Sequence, residues 1–374
     1  MRKTIFLTGA TGFLGCHLAH QFLKQGVSVW ALVRSKEDTD SLTRLQQAIL
    51  KVGALPDEAL SRLGVIEGTV HDSADVLQEK FRAQSDAHLD EVWHSAAIFN
   101  FKPRDKEKVE ATNIFGTQNL LNLTAQIQPE SPPRFIYIST AYCTGRENNT
   151  AVPEHIPPHI EDFRSIYEWS KHEAECRVQT MQKQYGLDAF ILRPSIIIGT
   201  PETAVECNSG YYQVVGALHR LRETLVESMG DQFDGNVYTR LLGNPSTLLN
   251  LVPIDFVVNG MMRATEHPKL AKSGLKLFNI TNEAAPTIGQ VHEAVTNSLN
   301  IHGLDLVSQA DLDAKEMHPI EKIINRRISF QAPYMHETIH FTTDCFRQYV
   351  SKEMLPTPTV DVDYLIRLNE TAFV

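Results

Sequence analysis

The 374-residue chain contains no run approaching the roughly 18 consecutive apolar residues that a membrane-crossing helix needs. Its most apolar stretch, Phe190 to Ile198, is interrupted by Arg193 and Pro194. Arg2 and Lys3 ahead of Ile5, Phe6 and Leu7 faintly imitate a signal peptide. Gly9, Gly12 and Gly15 break that apolar core within a few residues, so no leader is expected. Basic residues are in deficit, 35 Lys plus Arg against 45 Asp plus Glu, for a formal net charge of −10. Nucleic-acid binders that ignore sequence draw most of their affinity from phosphate neutralisation, so no nucleic-acid partner is expected. Cysteine is sparse: Cys16, Cys143, Cys176, Cys207 and Cys345 are odd in number, widely spaced, and form no C-x-x-C pair. That pattern suits a reduced, cytoplasmic chain with no disulfide framework and no metal site. Four N-x-S/T sequons, at Asn122, Asn148, Asn279 and Asn369, carry little weight, because such short patterns arise by chance. Repeats and low-complexity segments are absent too.

The composition that remains, 42% hydrophobic and 21% charged, is that of a globular chain and excludes disorder throughout. In the first half, short β-rich runs alternate with longer helical patterns, the signature of a parallel α/β sheet. Thr4 to Thr8, Val27 to Val33, Val65 to Glu67, Val92 to His94, Phe135 to Ser139 and Ala189 to Leu192 read as six strands. Helices are expected from Gly12 to Lys24 and near 40–51, 105–127 and 165–185. After Pro194 the pattern loosens, with a helix near Tyr212 to Met229. Short strands at Leu251 to Ile254 and Leu277 to Ile280 flank a helix at Phe256 to Thr265. The expected fold is α/β: a doubly wound parallel Rossmann sheet in residues 1–200, with return segments near 251–280. A smaller, interleaved substrate-binding domain then comprises 201–250 and 281–374.

Thr8-Gly9-Ala10-Thr11-Gly12-Phe13-Leu14-Gly15 lies between the first strand and the first helix. A dinucleotide site needs that order. One glycine permits the tight turn, a second lets the backbone approach a pyrophosphate, and a third lets helix and strand pack closely. The spacing is G-x-x-G-x-x-G, and no Gly-Lys-Ser/Thr follows, which excludes a P-loop. An acidic residue usually ends the second strand of an NAD-binding unit, where it meets the ribose 2′-hydroxyl. Here that strand ends Leu32-Val33-Arg34-Ser35, with Glu37 and Asp38 only later. Arg34 could meet a 2′-phosphate with its planar fork, so NADP(H) is expected over NAD(H).

Of ten tyrosines, only Tyr167 has a lysine four residues on, Lys171. Residues i and i+4 share a helix face, and a neighbouring cation lowers a tyrosine pKa, which suits the phenol for acid–base work. The pair follows the hydroxyl-rich strand end Ile138-Ser139-Thr140-Ala141, where a hydroxyl could hydrogen-bond a substrate carbonyl oxygen.

Together these motifs resemble the extended short-chain dehydrogenase/reductases. Val92-Trp93-His94-Ser95-Ala96-Ala97 is similar to that family's V-x-H-x-A-A strand, Asn113-Ile114-Phe115-Gly116-Thr117 to its N-x-x-G-T segment, and Leu192-Arg193-Pro194 to its R-P strand end. The likeness is strong over residues 3–200 and weaker at Leu251-Val252-Pro253-Ile254-Asp255 and Phe278-Asn279-Ile280. Within the superfamily, Phe6 to Gly15, Ala31-Leu32-Val33-Arg34, Ile138 to Tyr142 and Asn250 to Asp255 resemble the thioester-reductase and fatty-acyl-CoA-reductase branch. Members of that branch use NADPH to reduce acyl thioesters.

The resemblance implies Tyr167 as proton donor, Thr140 as hydroxyl partner with Ser139 as second choice, and Lys171 as the residue that tunes Tyr167 and binds the nicotinamide ribose. It also implies Asn113 in a relay near Lys171. Cofactor contacts are implied at Gly9, Thr11, Gly12, Phe13, Leu14, Gly15, Arg34, Thr69, Ala96, Ala97, Lys171 and Pro194. One departure is Glu67-Gly68-Thr69, where the branch often has Gly-Asp near the adenine. The implied substrate is a small-molecule, CoA-bound or carrier-bound acyl group; the length suggests that any carrier is a separate partner. Phe99, Phe101, Tyr142, Tyr211 and Tyr212 are candidates for an acyl pocket wall. A sugar-nucleotide epimerase or dehydratase, or a ketone or steroid dehydrogenase, is the alternative in the same superfamily. A non-enzymatic cofactor sensor would have no need of Thr140, Tyr167 and Lys171. A homodimer is compatible with the fold.

Overall fold

A computed structural model describes residues 2–36, 39–99, 103–146, 151–158, 160–202, 210–272, 274–328 and 331–373; at 103, 320, 327 and 328 only the backbone is described. The strands run in chain order β1 (Thr4–Thr8), β2 (Ser28–Val33), β3 (Leu63–Glu67), β4 (Glu91–His94), β5 (Arg134–Ile138), β6 (Ala189–Pro194), β7 (Ile196–Ile198), β8 (Asn236–Leu242), β9 (Leu251–Pro253), β10 (Leu275–Ile280) and β11 (His302–Val307). The chain forms two compact units. The first comprises 1–194, 257–280 and 342–355; the second comprises 195–256, 281–341 and 356–374.

The first unit is built on a seven-stranded sheet of order β10-β6-β5-β4-β1-β2-β3. Every neighbouring pair in it is parallel. Strands covered by helices on both faces read as continuous apolar runs, which is why β1 (TIFLT) and β6 (AFILRP) are buried at every position. The order is that of a doubly wound Rossmann sheet, and it reverses beside β1, so ligands belong at the carboxyl ends of β1 and β4. Phe6, Leu77, Phe81, Leu120, Phe135, Val178 and Ile191 lie in its core, with the Phe6 and Phe81 rings edge to face at 6.2 Å.

Local signals set the helices. Asp40 caps Ser41–Leu50 by accepting from Thr43 N at 2.8 Å. Ser165 caps Ile166–Tyr185, and Gly186 ends it at φ +65°. Ala74–Gln84, capped by Ser73, has no counterpart among the expected helices. The expected single helix over 105–127 is instead Lys106–Val109, a π-helical stretch Glu110–Phe115, and Gly116–Gln126. Such stretches carry one extra residue per turn and concentrate at functional sites.

Residues 342–355, placed with the substrate-binding part on sequence, pack into the first unit. Glu154 accepts from the backbone N–H groups of Asn279 (3.0 Å), Cys345 (2.6 Å) and Phe346 (3.0 Å). The Phe346 ring is buried against Phe278 at 6.3 Å.

In the second unit β7 pairs with β9 and β8 with β11, both in parallel. Its core gathers Tyr211, Tyr212, Val215, Leu218, Val295, Leu365 and Leu368. Arg240 forks onto the nearly buried Glu321 with Nε–Oε1 and Nη2–Oε2 distances of 2.7 and 2.9 Å. Thr287 and Gln290 form a capping box on the helix Ile288–Ser298.

In the first unit Arg193, at the end of β6, and Glu175, on the helix Ile166–Tyr185, are both 0% exposed; they pair at 2.8 Å (Nε–Oε1) and 2.5 Å (Nη2–Oε2). Removing one partner strands the other charge out of water. Arg193→Met should therefore destabilise the protein by roughly 3–5 kcal/mol. Glu175→Met combined with Arg193→Met should cost much less, and equilibrium urea unfolding of the two variants measures the difference.

Candidate active site

The glycine turn closes by a bond from Gly12 N to Gly9 O at 2.9 Å. Gly9 sits at φ +74°, and a Cβ there would lie 2.7 Å from Ala96 N. A Cβ on Gly15 would fall 2.0 Å from Gly9 O, whereas one on Gly12 would reach that oxygen at 3.2 Å. Two of the three glycines are therefore demanded by the protein's own backbone, and Gly12 faces outward. Gly12 is also the N-cap of Phe13–Lys24 and supplies no side-chain cap. With no side chain over it and Gly12 exposed, this helix N-terminus fits the pyrophosphate of a dinucleotide. Thr11 is exposed, and Phe13 and Leu14 are half-buried beside it.

At the tip of β2 Arg34 is exposed. Arg44, from the following helix, donates its Nη2 to the Arg34 carbonyl, and its buried Nη1 has no hydrogen-bond partner among the described residues. Arg44 escaped the sequence reading; its signal was a second arginine on the helix that begins beyond the β2 tip. Thr69 is turned to Asp72, with Oγ1 to Oδ1 at 3.3 Å, and Asp72 pairs with Lys80 at 2.6 Å. Ala96 N donates to Thr8 Oγ1 at 3.1 Å, and Ala97 is exposed. Pro194, the last residue of β6, accepts from Ala141 N at 2.9 Å.

Ser139 and Thr140 follow β5 and are buried. The Ser139 hydroxyl points at Cys143 Sγ (3.7 Å), and that thiol is 3.2 Å from Glu175 Oε1. Thr140 Oγ1 accepts from Tyr142 N at 3.3 Å and donates to no described residue. The buried Lys171 ammonium donates to Ile138 O at 2.7 Å and lies 4.6 Å from the centre of the Tyr137 ring. The Tyr167 ring stands edge-on to Phe99 at 4.8 Å, and its phenol is within electrostatic range of Cys143 and Tyr137.

Electrostatics correct one expectation. Burial, reinforced by Cys143 and Glu168, pushes the Tyr167 phenol above its ordinary value, not below it. Burial also brings Lys171 down to about 8 against the raising influence of Cys143 and Glu175, so the lysine is charged only below about that pH. Spacing at i+4 counts the cation but not the loss of water. Asn113 is buried. From the π-helical stretch its Oδ1 accepts from Ile98 N (2.7 Å), while Nδ2 donates to Ile98 O (3.1 Å) and Ser170 Oγ (2.9 Å). These bonds reach Ser170, the neighbour of Lys171, and not Lys171 itself.

Of the aromatic candidates, Phe99 is placed against Tyr167. Tyr142 is buried beside Thr140. Tyr211 and Tyr212 are core residues of the second unit: Tyr211 donates to Asn369 Oδ1 (2.7 Å), and Tyr212 accepts from Gly199 N (2.6 Å). Phe101 lies outside the described residues.

A parallel dinucleotide-binding sheet with this glycine turn, a strand-end hydroxyl pair and a Tyr–Lys pair on the next helix define an extended short-chain dehydrogenase/reductase. Within that class the chain belongs to the NAD-binding family described as male sterility protein, whose model matches residues 7–261.

The chain is 24% identical over 302 residues to a Drosophila melanogaster protein that carries the name of a fatty acyl-CoA reductase; the match covers 70% of this chain and 51% of that one. It is 24% identical over 412 residues to human fatty acyl-CoA reductase 2, covering 98% of this chain and 70% of that protein. The chain thus spans about half the length of the fly relative. Among solved structures, the terminal R domain of the myxalamid PKS-NRPS pathway superposes with a TM-score of 0.75 at 19% identity, over 99% of this chain and 89% of that one. A thiolation-reductase di-domain from an archaeal non-ribosomal peptide synthetase gives 0.71 at 19%, over 99% and 90%.

The contact at 2.0 Å makes Gly15 the sharpest probe of the turn. Gly15→Ala should weaken dinucleotide binding at least about tenfold, since the loop must move away from the pyrophosphate position. Fluorescence titration with NADPH, on protein shown by circular dichroism to be folded, measures it.

Proposed function

We propose that the chain is an NADPH-dependent reductase of acyl thioesters. The observation that carries this reading is the cluster at the end of β5. There Tyr167, whose phenol burial keeps protonated, lies one helical turn from Lys171, whose buried ammonium is bound to Ile138 O beside the buried Ser139 and Thr140. The likeness to fatty acyl-CoA reductases and to carrier-linked reductase domains supports a CoA-bound or carrier-bound acyl group as substrate.

The glycine turn would hold the pyrophosphate, and Arg34 and Arg44 the 2′-phosphate. Bound there, NADPH supplies hydride to the thioester carbonyl carbon. Tyr167 gives its proton to the carbonyl oxygen as that oxygen gains charge. A raised phenol pKa keeps the donor loaded throughout the physiological range. Thr140 donates a hydrogen bond to the same oxygen; it is favoured over Ser139, whose hydroxyl is directed at Cys143. Lys171, charged below about pH 8, stabilises negative charge in this buried setting. Phe99 lines the side of Tyr167 on which an acyl chain would lie.

Two measurements test the reading. NADPH oxidation should proceed with acyl-CoAs, and Tyr167→Phe should lower kcat by about 100-fold or more while NADPH binding is unchanged. Turnover confined to nucleotide sugars, or full activity in Tyr167→Phe, overturns it. The cofactor preference has its own readout: Arg34→Ala and Arg44→Ala should each weaken NADPH binding about tenfold and leave NADH binding nearly unchanged. Native protein that binds NADH as tightly as NADPH refutes the preference.

A further inference from the structure

The buried histidine of β4 has no part in the chemistry above, yet it touches both halves of the site. We propose that His94 is a positioning residue: a neutral imidazole, held in one tautomer, that ties the glycine turn to the backbone of Tyr167 through a single directed line of hydrogen bonds.

Each direction follows from the one before. Ala96 N–H donates to Thr8 Oγ1 (3.1 Å), and the Thr8 hydroxyl lies 2.7 Å from His94 Nδ1. On the far side, Thr117 Oγ1 donates to Asn113 O at 2.6 Å. Its one proton is thereby used, so at the 3.0 Å contact it accepts from His94 Nε2. The ring proton therefore sits on Nε2, and Nδ1 accepts from Thr8. Beyond Thr117 the line reaches the Asn113 backbone carbonyl and resumes from the side-chain amide of that residue, whose Nδ2 donates to Ser170 Oγ (2.9 Å), and Ser170 donates to Tyr167 O at 2.8 Å. Thr8, His94, Asn113, Thr117 and Ser170 are each 1% exposed or less, so no water competes for these bonds.

The line begins one residue before Gly9 and ends on the carbonyl of Tyr167. It fixes the distance between the turn that would hold the cofactor and the group assigned above as proton donor. The Asn113 amide also grips both backbone groups of Ile98, and so sets where Phe99 meets the Tyr167 ring.

The surroundings keep the imidazole uncharged. The Phe135 and Tyr137 rings lie beside it at 6.4 and 5.7 Å. Burial first, then the Lys171 charge, brings its pKa down to about 3. A histidine so placed does not titrate near neutrality, and it serves geometry and not proton transfer.

The inference rests on the reading of Tyr167 as proton donor, but its first test needs no substrate. Long-range 1H–15N spectra of the histidine rings, with His94 assigned by comparison with His94→Asn, should show one neutral ring carrying its proton on Nε2 and unchanged from pH 5 to 8. A ring that titrates in that range, or that carries the proton on Nδ1, overturns the proposal.

The second test separates position from stability. Thr117→Val removes the hydroxyl with little change of shape, and Thr117→Ser keeps it. The valine variant should lose about tenfold or more in kcat, within the ~100-fold that a misplacement of about 1 Å costs, with NADPH affinity changed far less; serine should restore the rate. Full activity in Thr117→Val, or a serine variant as impaired as the valine one, overturns the proposal. If Thr117→Val does not fold, the spectra of the native protein decide. If no acyl thioester is turned over, the spectra still decide the hydrogen-bonded line, and the reductase reading fails separately.

Discussion

Two opposite charges withdrawn from water, Glu175 and Arg193, hold the rest of the first unit in place. An unpaired charge at either position would cost several kcal/mol, so the helix Ile166–Tyr185 has little freedom to slide along β6. Tyr167 and Lys171 lie on the two turns of that helix preceding Glu175, and they inherit its position. Arg193 Nη1 donates to the carbonyls of Pro153 (3.1 Å) and His155 (3.3 Å). Between those carbonyls Glu154 gathers the N–H groups of Asn279, Cys345 and Phe346. One buried pair thus organises the helix Ile166–Tyr185, the segment ahead of it, the edge strand β10 and residues brought from far along the chain.

The framework was largely legible in the sequence because its causes are local. Parallel strands covered on both faces read as apolar runs, and β1 and β6, buried at every position, lie on such runs. The glycine turn was legible for a similar reason: one backbone segment supplies both the crowded carbonyl of Gly9 and the Gly15 that must lack a side chain. The helix ends at Lys24 and Tyr185 follow from the residues beside them.

What escaped depends on residues far apart in the chain. Nothing near Asn113 announces Ile98 or Ser170 as partners, and Arg44 gains meaning only when its helix folds back onto the β2 tip. The aromatic candidates show the same limit. Hydropathy and size cannot separate Phe99, placed on Tyr167, from Tyr211 and Tyr212, whose hydroxyls are used inside the second unit. The tyrosine expectation failed because sequence spacing places a neighbouring charge but not the surrounding dielectric. Burial raised the phenol and lowered the amine together, which leaves Tyr167 protonated one helical turn from an amine that loses its charge above about pH 8.

The order β10-β6-β5 carries a consequence for synthesis of the chain. β6 is buried along its whole length in the finished sheet, but its outer neighbour β10 is encoded some eighty residues later. Until Leu275–Ile280 emerges from the ribosome, a six-residue apolar strand presents an unpaired edge, the kind of surface that recruits other nascent chains. The second unit's β7, β8 and β9 and the helix Tyr211–Met229 are all made in that interval. The nascent chain is therefore exposed to aggregation, and dependent on chaperones, between the making of β6 and of β10.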